Sequence, residues 1–188
     1  MPMLEVDGEV LVQSHSIARY LAKKFGLVGK NDWEQAKVDM YAACLMDVID
    51  AGRHWRLEKD LQKKEQLFQE HLTKDVRPFV QLIEKHLAEN GSGYLVGATV
   101  SANQLIHSKS ISNHSPFQLT WADLAYYSLF FNLVDRQSDL LNEAPHLTKL
   151  LSLVAGIPSI KNWVETRPVT PLWSRKASIW TQGIRVSV

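Results

Sequence analysis

The first 26 residues of the chain, MPMLEVDGEVLVQSHSIARYLAKKFG, decide which fold it can adopt. The runs MLEV and EVLV are β-prone, and Asp7-Gly8 between them tolerates the positive φ angles that a two-residue type I′ turn requires. We expect a β-hairpin here, followed by a helix that Ser14 caps and that stops at Gly26. Because two strands and one helix cannot bury a core alone, this stretch is expected to be part of a larger domain.

Composition limits the classes of protein that remain. The chain has 188 residues, of which 45% are hydrophobic and 22% are charged. This is typical of a soluble globular protein with one ordinary domain or two small ones. The 21 basic and 20 acidic residues give a net charge of +1, which provides no overall field for nucleic acid or a membrane surface. A nucleic-acid-binding function is therefore disfavoured.

The expected location is the cytoplasm. The single cysteine, Cys44, excludes a disulfide within the chain and is typical of a reducing compartment. The most apolar stretch, residues 124–134, is well short of the roughly 18 residues that span a membrane. The N-terminus has two acidic residues and no basic region, so no signal peptide is predicted.

From Asn31 onward the pattern predicts helices and no convincing strand. Thr120 and Asp123 are spaced as a capping box, and Pro78 is expected to kink a helix or mark its first turn. Helices are predicted over residues 33–54, 57–72, 76–90, 124–134, 145–155 and 158–166.

Several strings in the chain resemble the cytosolic glutathione transferases. MPMLEVDG and QSHSIARYL at residues 1–8 and 13–21 resemble the second half of their glutathione-binding domain, most closely in the sigma class, which includes the glutathione-dependent prostaglandin D synthases. GSGYLVG, TWAD and IPSIKNWVETRP, all within residues 91–168, resemble their all-helical second domain. The resemblance implies an α+β family fold, a thioredoxin-like domain plus an all-α bundle. This chain is expected to be mostly α, keeping only the final hairpin and helix of the first domain.

The resemblance also divides the chain. Residues 1–26 would be the C-terminal part of the thioredoxin-like domain, 27–32 a linker and 33–172 the helical domain. Residues 98–118 are rich in Ser, Asn and His and are interpreted as an inserted loop, and 173–188 as an atypical tail.

Four residues near the N-terminus are candidates for binding glutathione. The family places a cis-proline at the position of Pro2, and the residue before it, here Met1, pairs its backbone with the cysteinyl part of the peptide. The family's Gln-Ser pair, here Gln13 and Ser14, binds the γ-glutamyl group. These two residues suit a γ-glutamyl group. The helix N-terminus at Ser14 favours a carboxylate, and the Gln13 amide both donates and accepts hydrogen bonds.

Three further residues are assigned by resemblance. Asp47 lies where sigma-class enzymes place an acid that reaches across the dimer to the glutathione amino group. The alternative is that Asp47 belongs to a solvated polar face beside Asp50. Ile49 and Trp55 lie near the family's electrophile pocket, although the spacing around Arg53 does not match cleanly.

No metal site is predicted. Some sigma-class members bind a divalent cation through acids on this helix, but two of those positions here are Ala43 and Met46. His107 and His114 have no flanking Cys or carboxylate that would complete a ligand set.

The chain is expected to be an N-terminally truncated member of the family. It begins just before the proline, whereas family members carry a βαβ unit ahead of it with the catalytic tyrosine, which stabilises the glutathione thiolate. The tyrosines of this chain match core or loop positions, so none replaces it. Together with the insertion and the tail, this start leads to the hypothesis of a misread exon structure or an alternative transcript.

Two functions follow from the resemblance. The first is a homodimeric glutathione transferase, with glutathione as co-substrate, that conjugates small hydrophobic electrophiles, impaired here because the tyrosine segment is absent. The alternative is a non-catalytic binding or structural protein, as the lens S-crystallins are within this family.

Overall fold

The computed structural model describes residues 2–97 and 119–167 of the chain. The described residues form a two-stranded sheet and eight α-helices, so the predicted architecture, mostly α with one N-terminal hairpin, is confirmed. The strands are β1 (Met3–Val6) and β2 (Glu9–Val12), and the helices are α1 (Ser14–Lys24), α2 (Asp32–Ala51), α3 (Arg53–Leu57), α4 (Leu61–His71), α5 (Arg77–Asn90), α6 (Trp121–Arg136), α7 (Pro145–Ala155) and α8 (Pro158–Thr166).

The hairpin forms as its sequence predicts. Asp7 and Gly8 both have positive φ, 52° and 83°, as a type I′ turn requires. The strands are antiparallel with Met3 opposite Val12 and Leu4 opposite Leu11. Leu4 and Leu11 are half-buried, whereas Met3 is 68% exposed. One face of this small sheet therefore remains open.

Helix α1 begins at Ser14, the residue that was expected to cap it. The prediction that Ser14 caps the helix is wrong, because Gln13 occupies the N-cap position, and Ser14 is the first helical residue. The Gln13 carbonyl accepts the first helical hydrogen bond from the Ile17 N–H at 3.0 Å. The predicted stop at Gly26 is confirmed, since Gly26 has a φ of 68° and the Leu27 N–H returns to the Ala22 carbonyl at 2.8 Å, as in a Schellman motif.

The predicted helix over residues 33–54 is two helices that meet at Gly52. A Cβ at Gly52 would lie 2.7 Å from Nε2 of His71 and 2.8 Å from Nε1 of Trp55. Only glycine allows this approach. Helix α2 ends at Ala51 and the short α3 starts at Arg53. The sequence pattern did not reveal this break because the apolar spacing continues across it.

Helices α4 and α5 follow one another through a π-helical turn, Leu72–Val76. Pro78 lies in the first turn of α5, where it cannot donate a backbone hydrogen bond and its ring crowds the preceding turn, and a wider π turn accommodates both effects. The predicted start of α4 at Leu57 is wrong. The helix begins at Leu61, because the Asp60 carboxylate accepts the Lys63 N–H at 2.8 Å and caps it there.

Helix α6 is the central core helix, as predicted, and it packs against α2 and α7. Its capping box is present and extends further than expected. One carboxylate oxygen of Asp123 accepts from the Thr120 N–H and hydroxyl, both at 2.7 Å, and the other accepts from the Leu95 N–H at 3.0 Å. The fully buried Asp123 therefore joins the segment after α5 to the start of α6. Fully buried large side chains include Tyr126, Phe68, Phe130, Leu72, Ile83, Leu87, Leu95, Leu147, Leu150 and Leu151.

Candidate functional site

The N-terminus of α1 combines a strained backbone with an exposed hydroxyl-bearing residue. Gln13 has a φ of 75° and a ψ of 117°, and among the described residues only Asp7 is another non-glycine with positive φ. Such a conformation costs about 1–3 kcal/mol and is found disproportionately at ligand sites. Ser14 follows it and is exposed, so the first turn of α1 presents a hydroxyl group beside unpaired backbone N–H groups.

Helix α1 is fixed against the helices that follow it. The Trp121 N–H donates to the Leu27 carbonyl at 2.9 Å, which joins the end of α1 to the start of α6. The Arg19 guanidinium pairs with the Asp39 carboxylate on α2 at 2.9 Å. The His15 ring meets the Trp121 ring edge to face, with centroids 5.6 Å apart. These contacts place the first turn of α1 in a defined position relative to α2 and α6.

A cavity of about 560 Å³ lies between α1, α2 and α6. This volume is in the range of small-molecule sites. Most of the side chains that line it are apolar and come from all three helices. They include Ala18, Leu21, Ala22, Phe25, Leu27, Leu45, Met46, Ile49, Trp121, Leu124, Ala125 and Leu129.

Five polar or charged residues complete the lining: Ser14, His15, Arg56, Ser128 and Asn132. Ser14 brings the strained α1 terminus to the cavity. Arg56, from α3, donates through Nη2 to the Ile49 carbonyl at 2.6 Å. The arrangement offers an anion-favouring helix terminus and a guanidinium group around an apolar interior.

The structure brings some predicted site residues together and separates others. Ser14 and Ile49 line the same cavity, and Gln13 adjoins it through Ser14. Asp47 is exposed on α2 and is not part of the cavity lining. Trp55 is not part of it either, since its ring packs against Phe68 with centroids 5.0 Å apart.

The two residues predicted to contact the cysteinyl group lie at the start of the chain. Pro2 is exposed. Met1, and with it the peptide bond that the family resemblance expects to be cis, lies outside the described residues. The predicted insertion over 98–118 and the tail over 173–188 also lie outside them.

None of the five tyrosines of the chain lines the described walls of this cavity. Tyr41 and Tyr126 are core residues whose hydroxyl groups are engaged, Tyr41 with Nε2 of His86 at 2.6 Å and Tyr126 with the Tyr41 carbonyl at 3.2 Å. Burial raises the pKa of Tyr41 to about 12 and raises the pKa of Tyr126, Tyr94 and Tyr127. Tyr20, on α1, has the Lys24 ammonium over its ring at 5.5 Å.

The described residues contain no group of three or more His, Cys, Asp or Glu side chains that could hold a metal ion. Of the two positions compared with the family's cation-binding acids, Ala43 is exposed and Met46 lines the cavity. His107 and His114 lie outside the described residues.

Two features of the site were not predicted from the sequence. The positive φ of Gln13 had no signal in the sequence, because glutamine is not among the residues that favour this conformation. The position of Arg56 at the cavity had none, because it depends on the break at Gly52 that separates α3 from α2.

The chain is similar in sequence to known glutathione transferases. The family model for the glutathione S-transferase C-terminal domain matches residues 46–116 and 116–167. Probable glutathione S-transferase 7 of Caenorhabditis elegans is 36% identical over 178 residues, covering 91% of this chain and 75% of that protein. Human hematopoietic prostaglandin D synthase is 34% identical over 172 residues, covering 92% of this chain and 75% of that protein.

Solved structures show the same fold. The prostaglandin synthase D of Nilaparvata lugens superposes with a TM-score of 0.72 at 31% identity, covering 90% of this chain and 75% of that one. A glutathione S-transferase of the hookworm Necator americanus, described as monomeric, gives a TM-score of 0.71 at 31% identity, covering 91% of this chain and 76% of that one. The chain belongs to the glutathione transferase family. Within its described residues, no helix has both the length and the apolar character needed to cross a bilayer.

Proposed function

We propose that this chain binds glutathione at the first turn of α1, with the γ-glutamyl group held by Gln13 and Ser14. The observation that carries this proposal is the strained backbone of Gln13, φ 75°, directly before an exposed serine at a helix N-terminus. The helix dipole and free N–H groups favour the glutamyl carboxylate, and the amide of Gln13 is chemically suited to the amino-acid end. Pro2 and Met1 would contact the cysteinyl backbone.

The reaction that this site supports best is conjugation of glutathione to small hydrophobic electrophiles. The apolar cavity that Ser14 opens into would receive the electrophile, with Ile49 in its wall. Trp55 would contribute only if its packing against Phe68 changes. The similarity to prostaglandin D synthases supports a sigma-like class within the family.

The 188-residue chain made alone is expected to conjugate slowly. A tyrosine hydroxyl stabilises the thiolate in the family that the chain resembles, and here Tyr41 and Tyr126 are committed to core hydrogen bonds. A raised pKa also makes these phenols weaker acids, and therefore weaker hydrogen-bond donors to a thiolate. Without such a group the thiol pKa stays near its free value and the nucleophile is scarce at neutral pH.

A homodimer in the cytoplasm is the assembly and location that we propose. Asp47 is exposed on α2, where a carboxylate can reach a glutathione amino group held by a partner subunit. Cys44 is a free thiol, as suits a reducing compartment. Sedimentation of the wild-type chain and of Asp47→Ala tests the assembly, because a role limited to glutathione leaves the dimer intact.

A non-catalytic glutathione-binding or structural protein is the second candidate. It is favoured because the hydroxyl groups of the buried Tyr41 and Tyr126 are hydrogen-bonded within the core. It differs from the first candidate in having no conjugation rate above the uncatalysed reaction. Retention on glutathione-agarose together with a rate on chlorodinitrobenzene separates the two candidates. Retention with no rate above the uncatalysed reaction supports the second, whereas retention with a rapid rate supports the first and contradicts the impairment. A chain that is folded yet not retained contradicts both glutathione-binding proposals.

A further inference from the structure

We propose that the Asn90-Gly91 link is a deamidation site that the folded protein keeps closed and that opens when the segment after α5 detaches. It is the only Asn-Gly pair in the sequence. Because glycine has no side chain to shield its backbone nitrogen, this nitrogen reaches a preceding asparagine side chain more easily than that of any larger residue. The modification needs no glutathione, so it is independent of the proposed function.

The reaction joins two groups of neighbouring residues. The Gly91 backbone nitrogen gives up its proton and attacks Cγ of Asn90, and the new N–Cγ bond closes a succinimide ring. The side-chain amide nitrogen leaves as ammonia and carries that proton away. Water then opens the ring at either carbonyl, which leaves aspartate or isoaspartate at position 90. No atom is oxidised or reduced, and water is the co-reactant.

Both reacting groups are engaged in hydrogen bonds in the folded chain. The Gly91 N–H donates to the Leu87 carbonyl at 3.0 Å, at the C-terminus of α5. The Asn90 amide donates through Nδ2 to the Ser92 hydroxyl and to the Tyr94 carbonyl, both at 2.8 Å. Ring closure requires the Gly91 N–H to leave its acceptor and the amide to rotate away from both partners. The turn that ends α5 must therefore open before the reaction can start.

The Ser92 hydroxyl group stabilises this turn. It accepts from the Asn90 amide and from the Tyr94 N–H, the latter at 3.2 Å, and it donates to the Tyr94 carbonyl at 3.0 Å. Gly91 has a φ of 65°, the left-handed conformation that commonly closes a helix. One hydroxyl group therefore links three parts of the turn that keeps the amide away from the Gly91 nitrogen.

The segment that follows the turn is held by the core. Leu95 is buried, its N–H donates to the Asp123 carboxylate at 3.0 Å, and its carbonyl lies 3.1 Å from Nε2 of His86. Detachment of residues 91–95 breaks contacts to α5 and α6 together, so it occurs less often than fraying of an exposed helix end. The reactivity of Asn90 is thereby tied to the opening of this segment.

The modified residue cannot restore the closed turn. A carboxylate has no hydrogen to donate to the Tyr94 carbonyl, so two oxygen acceptors would face each other where a donor and an acceptor now meet. A negative charge at the C-terminus of α5 is also unfavourable for the helix dipole. Isoaspartate in addition lengthens the main chain by one carbon atom. A chain that has opened here and reacted therefore stays open.

The test is peptide mapping by tandem mass spectrometry of the full chain, incubated folded in buffer and unfolded in guanidinium chloride at the same pH and temperature. The tryptic peptide over residues 86–109 contains Asn90 and Asn103, and fragment ions assign the reaction to one of them. We expect Asn90 to react in the unfolded chain and at least about tenfold more slowly in the folded one, because opening costs several hydrogen bonds.

Ser92→Ala removes the hydroxyl group and keeps the Asn-Gly pair. Its rate in the folded state should rise about fivefold over wild type, while its rate in guanidinium chloride stays the same and its circular dichroism spectrum matches wild type. Ser152→Ala is the matched control, because the Ser152 hydroxyl donates to the Thr148 carbonyl at 2.7 Å within α7. It should leave both rates at Asn90 unchanged.

Asn90→Asp reproduces one product of the reaction. It should lower the urea midpoint of unfolding, because the amide donor is lost and a charge is added at the end of α5. Asn162→Asp, at an exposed position on α8, is the control and should leave the midpoint close to that of wild type.

Three results would overturn the proposal: equal rates at Asn90 in folded and unfolded wild type, no reaction at Asn90 in the unfolded chain, or a folded-state rate in Ser92→Ala no higher than in wild type. An Asn90→Asp chain with the urea midpoint of wild type would overturn the claim that the modified turn stays open.

Discussion

Ser14 and Ile49, which are 35 positions apart in the chain, line one cavity, the first at the N-terminus of α1 and the second on α2. This places a helix terminus that favours anions beside an apolar interior. The carboxylate of glutathione requires the first environment, and a hydrophobic electrophile requires the second. The relationship depends on the contacts that anchor α1 to α2 and α6.

Replacing Gln13 by glycine should separate stability from binding. Glycine adopts positive φ without a Cβ clash, so Gln13→Gly should raise the free energy of unfolding by about 1 kcal/mol, measured by urea denaturation. Glutathione affinity should fall in the same variant because the amide is lost. Asp7→Gly, at the other positive-φ position, is the control and should leave glutathione affinity unchanged. A stability loss of more than about 1 kcal/mol in Gln13→Gly would exceed the entropy that glycine adds to the unfolded chain, and would contradict strain at this position.

Asp123 should be among the most important side chains for stability. Its carboxylate accepts three hydrogen bonds from Leu95 and Thr120 while fully buried. Asp123→Ala leaves these donors unpaired and should lower the free energy of unfolding by about 3 kcal/mol. Glu165→Gln, an exposed acid on α8, should change it by less than about 0.5 kcal/mol. Similar effects in the two variants would contradict the role of Asp123 as a link between segments.

Glu84 on α5 should make stability depend on acid pH. Its carboxylate accepts the Leu147 and His146 backbone N–H groups at 2.9 and 3.1 Å, at the N-terminus of α7. Partial burial raises the pKa of Glu84, but these hydrogen bonds and the His146 ring outweigh it and hold the pKa below its ordinary value. Because the folded pKa is depressed, the stabilisation is present above the unfolded value and is lost as pH falls through the folded one.

Glu84→Gln should therefore cost about 1 kcal/mol at neutral pH, and the difference from wild type should shrink below about pH 4. Urea denaturation at a series of pH values measures it. A difference that stays constant down to about pH 2 would mean that the charge of Glu84 is not what stabilises α7.

Tyr41 should make stability depend on alkaline pH. Burial raises its pKa to about 12, so the folded protein holds the phenolic proton more tightly than the unfolded chain does. Stability attributable to this group is complete below about pH 10 and decreases as pH rises from there towards the folded pKa. Between about pH 9 and about pH 12, the free energy of unfolding of Tyr41→Phe should fall by about 2 kcal/mol less than that of wild type. Identical pH dependence of the two chains would contradict the burial of this hydroxyl group.

The sequence predicted local structure well and long-range geometry less well. Asp7-Gly8, Gly26 and the Thr120–Asp123 box are signals within a few residues, and the structure contains each of them. The special role of Gly52 was not predicted, because the side chain that leaves no room for a Cβ there is His71, nineteen positions away. Arg56 and most of the cavity lining were not predicted for the same reason, since side chains from α1, α2, α3 and α6 form the cavity together. Of its lining residues, the sequence had singled out Ser14 and Ile49.

The central claim is that Ser14 binds the γ-glutamyl end of glutathione, and calorimetric titration of the full chain with glutathione tests it most directly. Wild type should bind, and Ser14→Ala should lose about tenfold or more in affinity, because a hydrogen bond to a charged group is removed. Ser159→Ala, in the first turn of α8, should bind as wild type does. Equal affinity of wild type and Ser14→Ala, or no binding to the folded wild-type chain, would contradict the account.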